Sequence, residues 1–125
     1  DGVTWTAVED SVFGDDSYIY GVTYGAGKFV AVGRDADFSG KMAYSTDGIT
    51  WTAVTNNPFG SDIINDVTYG AGKFAACGWG KMASSTDGVT WTEVTDIPNG
   101  INAIAYGGGR FVAVGYDIVY SNKQE

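Results

Sequence analysis

The sequence has no histidine, one cysteine, two prolines and only seven basic residues. Without histidine, both the commonest general base and the commonest metal ligand are missing. A single thiol, Cys77, excludes an internal disulfide and any thiolate metal cluster. Seven Lys and Arg against fifteen Asp and Glu give a net charge of −8. That balance argues against nucleic acid and anionic membrane as partners, because both are held by cationic patches that displace counterions. No apolar run approaches membrane-spanning length, and no signal-peptide pattern is present. The sequence starts on Asp1 rather than Met, which reads as a processed chain, an excised domain or an engineered fragment. What is abundant is glycine, at nineteen residues, with aromatics at 14%. Many short strands joined by tight turns have this composition. A length of 125 residues allows one domain or part of one.

One module occurs three times: VTYGAGKFVAVG at 22–33, VTYGAGKFAACG at 67–78 and IAYGGGRFVAVG at 104–115. A short strand-like piece follows each: KMAYS at 41–45, KMASS at 81–85 and DIVYS at 117–121. After the first two come STDG turns and then TWTAV or TWTEV. Asp47 and Asp87 are 40 residues apart whereas Val22 and Val67 are 45 apart, so the first unit carries a loop insertion, RDADFS, where the second has Trp79. Each unit reads as four antiparallel strands, A to D. The GAGK sequence provides the positive φ of a tight A–B hairpin. In STDG the Asp side chain accepts from backbone N–H groups just ahead of it. Strand B is apolar on both faces, which a sheet with one wet face would not be. Four-stranded units of this period stacked face to face make an all-β β-propeller, with blades at 17–54, 63–94 and 101–122 in a single domain spanning 1–125.

The STDGITW and STDGVTW hairpins resemble the Asp-box of sialidases and related propellers, and GKFVAVG…YSTDGxTW over nearly the whole chain is similar to Asp-box-like (BNR-like) repeats of bacterial and phage proteins. This box is one residue shorter than the sialidase form, with Gly48 directly after Asp47, so the resemblance concerns repeat type and does not extend to sialidases. It implies that the box is structural. On that basis Asp1, Ser45, Asp47, Gly48, Ser85, Asp87 and Gly88 build turns, and Trp5, Trp51 and Trp91 pack between outer strands. It also implies an extracellular setting or a cell or phage surface.

The third unit has strands A, B and C but no D, and the missing strand, DGVTWTAV, stands at 1–8. Ser121 and Asn122 match Ser45 and Thr46, and Asp1 matches Asp47. Three blades leave two apolar faces uncovered, and a domain buries such faces. The expected closure is a homodimer making a six-bladed ring, in which residues 1–8 complete the partner's third blade. A nine-bladed trimer is the next choice, and a monomer with the strand folded back in cis comes last.

An up-and-down blade places its A–B and C–D turns at one end and its B–C and D–A loops at the other. The first end is uniform and the second varies from unit to unit, so ligands are expected at the second. Arg34, Trp79 and Tyr116 begin the B–C loops, and Asn56, Asn57, Asn65, Asn99 and Asn102 lie in or beside the D–A loops. Aromatic plates beside amides suit sugar rings, while rings that merely plug the gap between blades account equally for Trp79 and Tyr116. Asp35, Asp37 and Ser39 before Gly40 have the spacing that opens a calcium loop, although position 12 is Thr46 rather than Glu. A solvated acidic loop is the competing reading, and no other cofactor is expected. No catalytic set is apparent: the chain has two arginines, and Cys77 replaces Val32 of the first unit as a small core residue. Two functions remain open, a lectin-like glycan-binding module and a structural, self-assembling propeller fragment.

Overall fold

The computed structural model describes residues 2–123. Within these residues eleven strands form three separate antiparallel sheets, in agreement with an all-β chain of blade-like units. Blade 1 contains β1 (Tyr18–Gly25), β2 (Lys28–Arg34), β3 (Gly40–Ser45) and β4 (Thr52–Ala53) in chain order across the sheet. Blade 2 repeats this order with β5 (Ile64–Gly70), β6 (Lys73–Gly78), β7 (Met82–Ser85) and β8 (Thr92–Val94). Blade 3 has three strands, β9 (Ile101–Gly107), β10 (Arg110–Gly115) and β11 (Ile118–Tyr120).

The turns follow from their residues. Both central residues of each A–B hairpin have positive φ: Ala26 50° and Gly27 77°, Ala71 51° and Gly72 77°, Gly108 59° and Gly109 83°. Two left-handed residues in a two-residue loop match the right-handed twist of the flanking strands. In the C–D hairpin of blade 1, the Ser45 hydroxyl donates to Asp47 Oδ1 (2.9 Å) and accepts from Gly48 N (2.8 Å). Asp47 Oδ1 in turn accepts from Ile49 N (2.8 Å) and Thr50 N (2.9 Å). Ser85 and Asp87 repeat this network in blade 2 with bonds of 2.8–3.0 Å. These bonds close each C–D turn through its own serine and aspartate. Asp1, given the same role from the sequence, lies outside the described residues.

Strand parity sets how the blades stack. Alternate side chains of a strand point to opposite faces. Val30 and Val32 of β2 join Met42 and Val54 in a core shared with Val67, Phe74 and Trp91 of blade 2. One blade further, Ala75 and Cys77 meet Ile101, Ile104 and Ala113 of blade 3. The innermost strands β1, β5 and β9 lie side by side, so the sheets fan out from a common line. Tyr69 covers Gly25 of the preceding blade and Tyr106 covers Gly70, so closely that a Cβ on either glycine would overlap the ring. Each of these tyrosines is braced edge-on by a phenylalanine of its own blade, Tyr69 by Phe74 at 4.7 Å and Tyr106 by Phe111 at 4.8 Å.

Residues 2–8 form no strand. Residues 6–10 run beside Gly48–Trp51 of blade 1, and Phe13 is buried against Ala31 and Ala43 on the face of blade 1 that points away from blade 2.

Candidate functional site

The variable loop end holds two aromatic clusters. Trp79 and Tyr116, which start the B–C loops of blades 2 and 3, meet in a T-shaped pair with centroids 5.1 Å apart. The backbone holds them in place: Trp79 O accepts from Gly100 N and from Ile101 N (3.1 Å), and Tyr116 N donates to Gly100 O (3.1 Å). Both rings are exposed, so the pair lies on the surface across two blades.

Arg34 belongs to a second cluster, on blade 1. Its guanidinium lies 4.5 Å from the Tyr18 ring centroid and 4.1 Å from that of Phe38. Nε donates to Tyr20 Oη (3.3 Å) and Nη1 to Asp35 O (3.0 Å). Phe38 has a φ of 65°, rare for an aromatic residue. Tyr20 aligns with Asn65 and Asn102 at the start of strand A, where ligands were also expected, whereas Tyr18 and Phe38 were not singled out from sequence. The alternation in YIY was the available signal, since residues two apart on a strand share a face.

The amides divide into two groups. Asn57 ties its loop to the start of β3, with Nδ2 donating to Gly40 O (3.1 Å) and Oδ1 accepting from Phe59 N (3.0 Å). Asn65 Nδ2 donates to Ile101 O (3.1 Å) of blade 3, and Asp66 Oδ2 accepts from Ile104 N (3.0 Å). Both residues sit at a bulge in the β5–β6 ladder and clamp blade 3 to blade 2. Asp66 is a further residue the sequence reading missed, because its register to β9 is a tertiary fact. Asn99 and Asn102 are exposed, and the Asn99 amide stands against Gly80, the residue after Trp79.

The loop with calcium-like spacing is a capped turn. Asp35 Oδ1 accepts from Asp37 N (2.9 Å) and Ser39 N (3.0 Å), while Oδ2 faces Lys41 Nζ at 3.9 Å. Among the described residues no group of three or more His, Cys, Asp or Glu is placed to hold a metal ion. The donors do not fit a calcium cage: the first ligand is already engaged by backbone and by a cation, and the closing carboxylate is absent. Cys77 is buried, and burial, with the Asp66 charge second, pushes its thiol up to about 12. Such a thiol stays protonated and is no nucleophile at neutral pH.

The outer faces of the stack form a third candidate surface. Positions that are buried where one blade meets the next are open at its two ends. On the downstream side, Val32 and Cys77 are 0% exposed, whereas the equivalent Val114 is 40% exposed. Met42 is 1% exposed and its counterpart Ile118 is 70% exposed. On the upstream side, Val67 and Ile104 are buried and their counterpart Val22 is 60% exposed. Tyr24, counterpart of Tyr69 and Tyr106, covers no glycine and is exposed, while the space over Gly107 is empty.

No family model matches this sequence, and no curated protein matches it. Among solved structures, a chain in a crystal structure of a nidogen/laminin complex is similar, with a TM-score of 0.58 and 11% identity. The match covers 78% of this chain and 39% of that chain, so the present chain corresponds to less than half of the longer one. At that identity the likeness concerns the fold alone, and with the three stacked antiparallel sheets it shows a β-propeller-like all-β chain.

Proposed function

We propose that this chain is a non-enzymatic propeller scaffold whose working form is a ring closed by a second copy of itself. One observation carries this reading: the open upstream face of blade 1 and the open downstream face of blade 3 are the two halves of an interface that the chain already makes twice. Val22 and Tyr24 correspond to Val67 and Tyr69, which pack on blade 1. Val114, Ile118 and Gly107 correspond to Cys77, Met82 and Gly70, which receive blade 3. Apolar faces of this kind are buried in stable domains. Two copies related by a two-fold axis bring each open face against its complement at both seams. Three and three blades fall within the usual size range of propellers, and nine blades from a trimer slightly exceed it.

Multi-angle light scattering tests the reading. A mass of two chains at micromolar concentration is expected, falling to one chain on Val114→Asp, which places a charge in the seam. A well-folded wild-type monomer at that concentration overturns it.

A second reading is glycan binding at the variable loop end, and the exposed Trp79–Tyr116 pair favours it. Apolar sugar faces stack on such rings, and the exposed Asn99 beside Gly80 offers an amide close by. The scaffold reading ranks first because it accounts for both open faces, whereas the ring pair also serves as a plug between blades 2 and 3. A glycan array decides: a hit lost on Trp79→Ala with folding intact supports this reading, and silence across a broad array removes it.

A further inference from the structure

We infer that residues 2–8 form the fourth strand of blade 3 in a second copy of the chain, with Trp5 filling a groove between that copy's blades 2 and 3. The inference rests on the ring reading and adds to it a covalently traceable exchange of chain.

The groove is the first observation. Met82, Val94, Ile104, Phe111 and Val119 line an open apolar cleft of about 390 Å³ on the outer side of blade 3. One blade earlier, the counterparts of Met82, Val94 and Phe111 are Met42, Val54 and Phe74. Those residues share a core with Trp91, whose ring lies 6.2 Å from Phe74. The cleft is thus the vacant place of a Trp91-type side chain. β11 borders it with an outer edge that no strand covers among the described residues, and such an edge invites a partner strand.

The occupant is the second observation. The N-terminal segment is already shaped as the second half of the hairpin. Trp5 Nε1 donates to Gly2 O at 3.1 Å, as Trp91 Nε1 donates to Gly88 O at 3.1 Å. The two glycines have matching φ values, 75° and 80°. Trp5 nonetheless stands 84% exposed.

The side on which the segment leaves is the third. Phe13 packs on Ala31 and Ala43 of blade 1, as Phe59 packs in the core that holds Ala76 and Ala83 of blade 2. The loop that follows the segment is therefore seated where a preceding blade would deliver it. Residues 6–10 lie against blade 1, and blade 2 stands between them and the cleft of their own chain. In a ring of two chains, the blade preceding blade 1 is blade 3 of the second copy. Its Ser121 has a hydroxyl that now donates to Asn122 O at 3.1 Å. In the intact hairpins the same hydroxyl serves an aspartate and a glycine N–H.

Blade 2 sets the register. Thr92 pairs with Ser84, Glu93 with Ala83 and Val94 with Met82. By repeat equivalence Thr6 faces Tyr120 of the second copy, Ala7 faces Val119 and Val8 faces Ile118. Cross-strand neighbours of this kind have Cβ atoms about 4.5–5.5 Å apart, near the reach of a disulfide.

The test is the double variant Thr6→Cys with Tyr120→Cys, oxidised as the ring and weighed under denaturing, non-reducing conditions. The buried Cys77 does not compete. A covalent two-chain species, absent from each single variant and dissolved by reductant, is expected; a covalent three-chain species supports the same exchange in a nine-bladed ring. A single chain cross-linked within itself overturns the exchange. Hydrogen exchange on the unaltered chain provides a check that needs no substitution. Amides of residues 6–8 should be protected at concentrations where scattering shows the ring, and should exchange faster where it shows single chains. A ring whose residues 6–8 exchange as fast as they do in single chains sinks this inference and leaves the ring reading standing. Single chains at every concentration sink both. Trp5→Ala should weaken association by about 30-fold or more, as loss of a buried aromatic anchor does.

Discussion

Residues 2–5 and 88–91 have the same sequence, GVTW, and the same local turn, with the indole bonded to the glycine carbonyl three residues back. Their surroundings are opposite. Trp91 is 7% exposed in the core between blades 1 and 2, and Trp5 is 84% exposed. Local hydrogen bonding is thus independent of burial here. The four residues build their turn with or without a sheet, and only the neighbouring blade determines whether the ring leaves water. The same contrast runs through the molecule: the middle blade meets another blade on both faces, and each outer blade on one.

The largest expected effect tests this contrast directly. Trp91→Ala should destabilise the fold by about 3–5 kcal/mol. Trp5→Ala in dilute, single-chain conditions should cost less than about 0.5 kcal/mol. Urea denaturation of both variants at low protein concentration measures the gap, and equal losses would mean that Trp5 is already buried. Raising the concentration should enlarge the Trp5 effect and leave that of Trp91 unchanged if Trp5 is buried by assembly.

Met42 and Ile118 sharpen the comparison on the opposite face. Met42→Ala should cost about 2–5 kcal/mol because the residue is buried. Ile118→Ala should leave dilute stability within about 0.5 kcal/mol and lower the association constant instead. A stability loss for Ile118→Ala as large as that for Met42→Ala would show that the downstream face is covered within one chain.

A smaller effect concerns pH. The Thr50 and Ile49 N–H groups, with the Ser45 hydroxyl, hold the Asp47 carboxyl below the usual carboxylate range. The N–H groups of Thr90 and Val89, with Ser85, do the same for Asp87. A carboxyl depressed in the folded state stabilises fully above its unfolded pKa, about 3.9, and loses that contribution as pH falls through the lower folded value. The urea midpoint should therefore drop below about pH 4. Asp47→Asn with Asp87→Asn should flatten that acid limb. An unchanged slope would assign acid sensitivity to other carboxylates.

The smallest effect compares the A–B turns. Ala71 has a φ of 51° where the third unit has Gly108 at 59°. Ala71→Gly should stabilise by about 0.5–1 kcal/mol, since glycine adopts positive φ without a Cβ penalty. Thermal unfolding beside wild type checks this, and a lower midpoint would show that the alanine methyl packs usefully.

Much of the architecture was legible in the sequence for local reasons. Three copies of one module give three sheets, and strand-B residues apolar at every position anticipate sheets covered on both sides. The Ser-Thr-Asp-Gly order prescribes the hairpin bonds, because each donor and acceptor lies within three residues. The candidate site was less legible. Spacing alone made Asp35, Asp37 and Ser39 look like the start of a calcium loop, yet Asp35 caps the backbone of its own turn. Asn57 and Asn65 had the chemistry of ligand-binding amides, and each is bonded to a carbonyl far away in the chain. The Arg34 cluster depends on a loop that folds Phe38 back over the guanidinium.

By itself, then, the amino-acid order determined the strands, their turns and their two-sided apolar character, because these depend on residue type and on neighbours a few positions away. The tertiary structure alone decided which apolar faces are covered, which amides are engaged and where residues 2–8 lie. Those outcomes depend on which blade stands next to which, and identical sequences such as GVTW carry no information about their neighbour across the sheet.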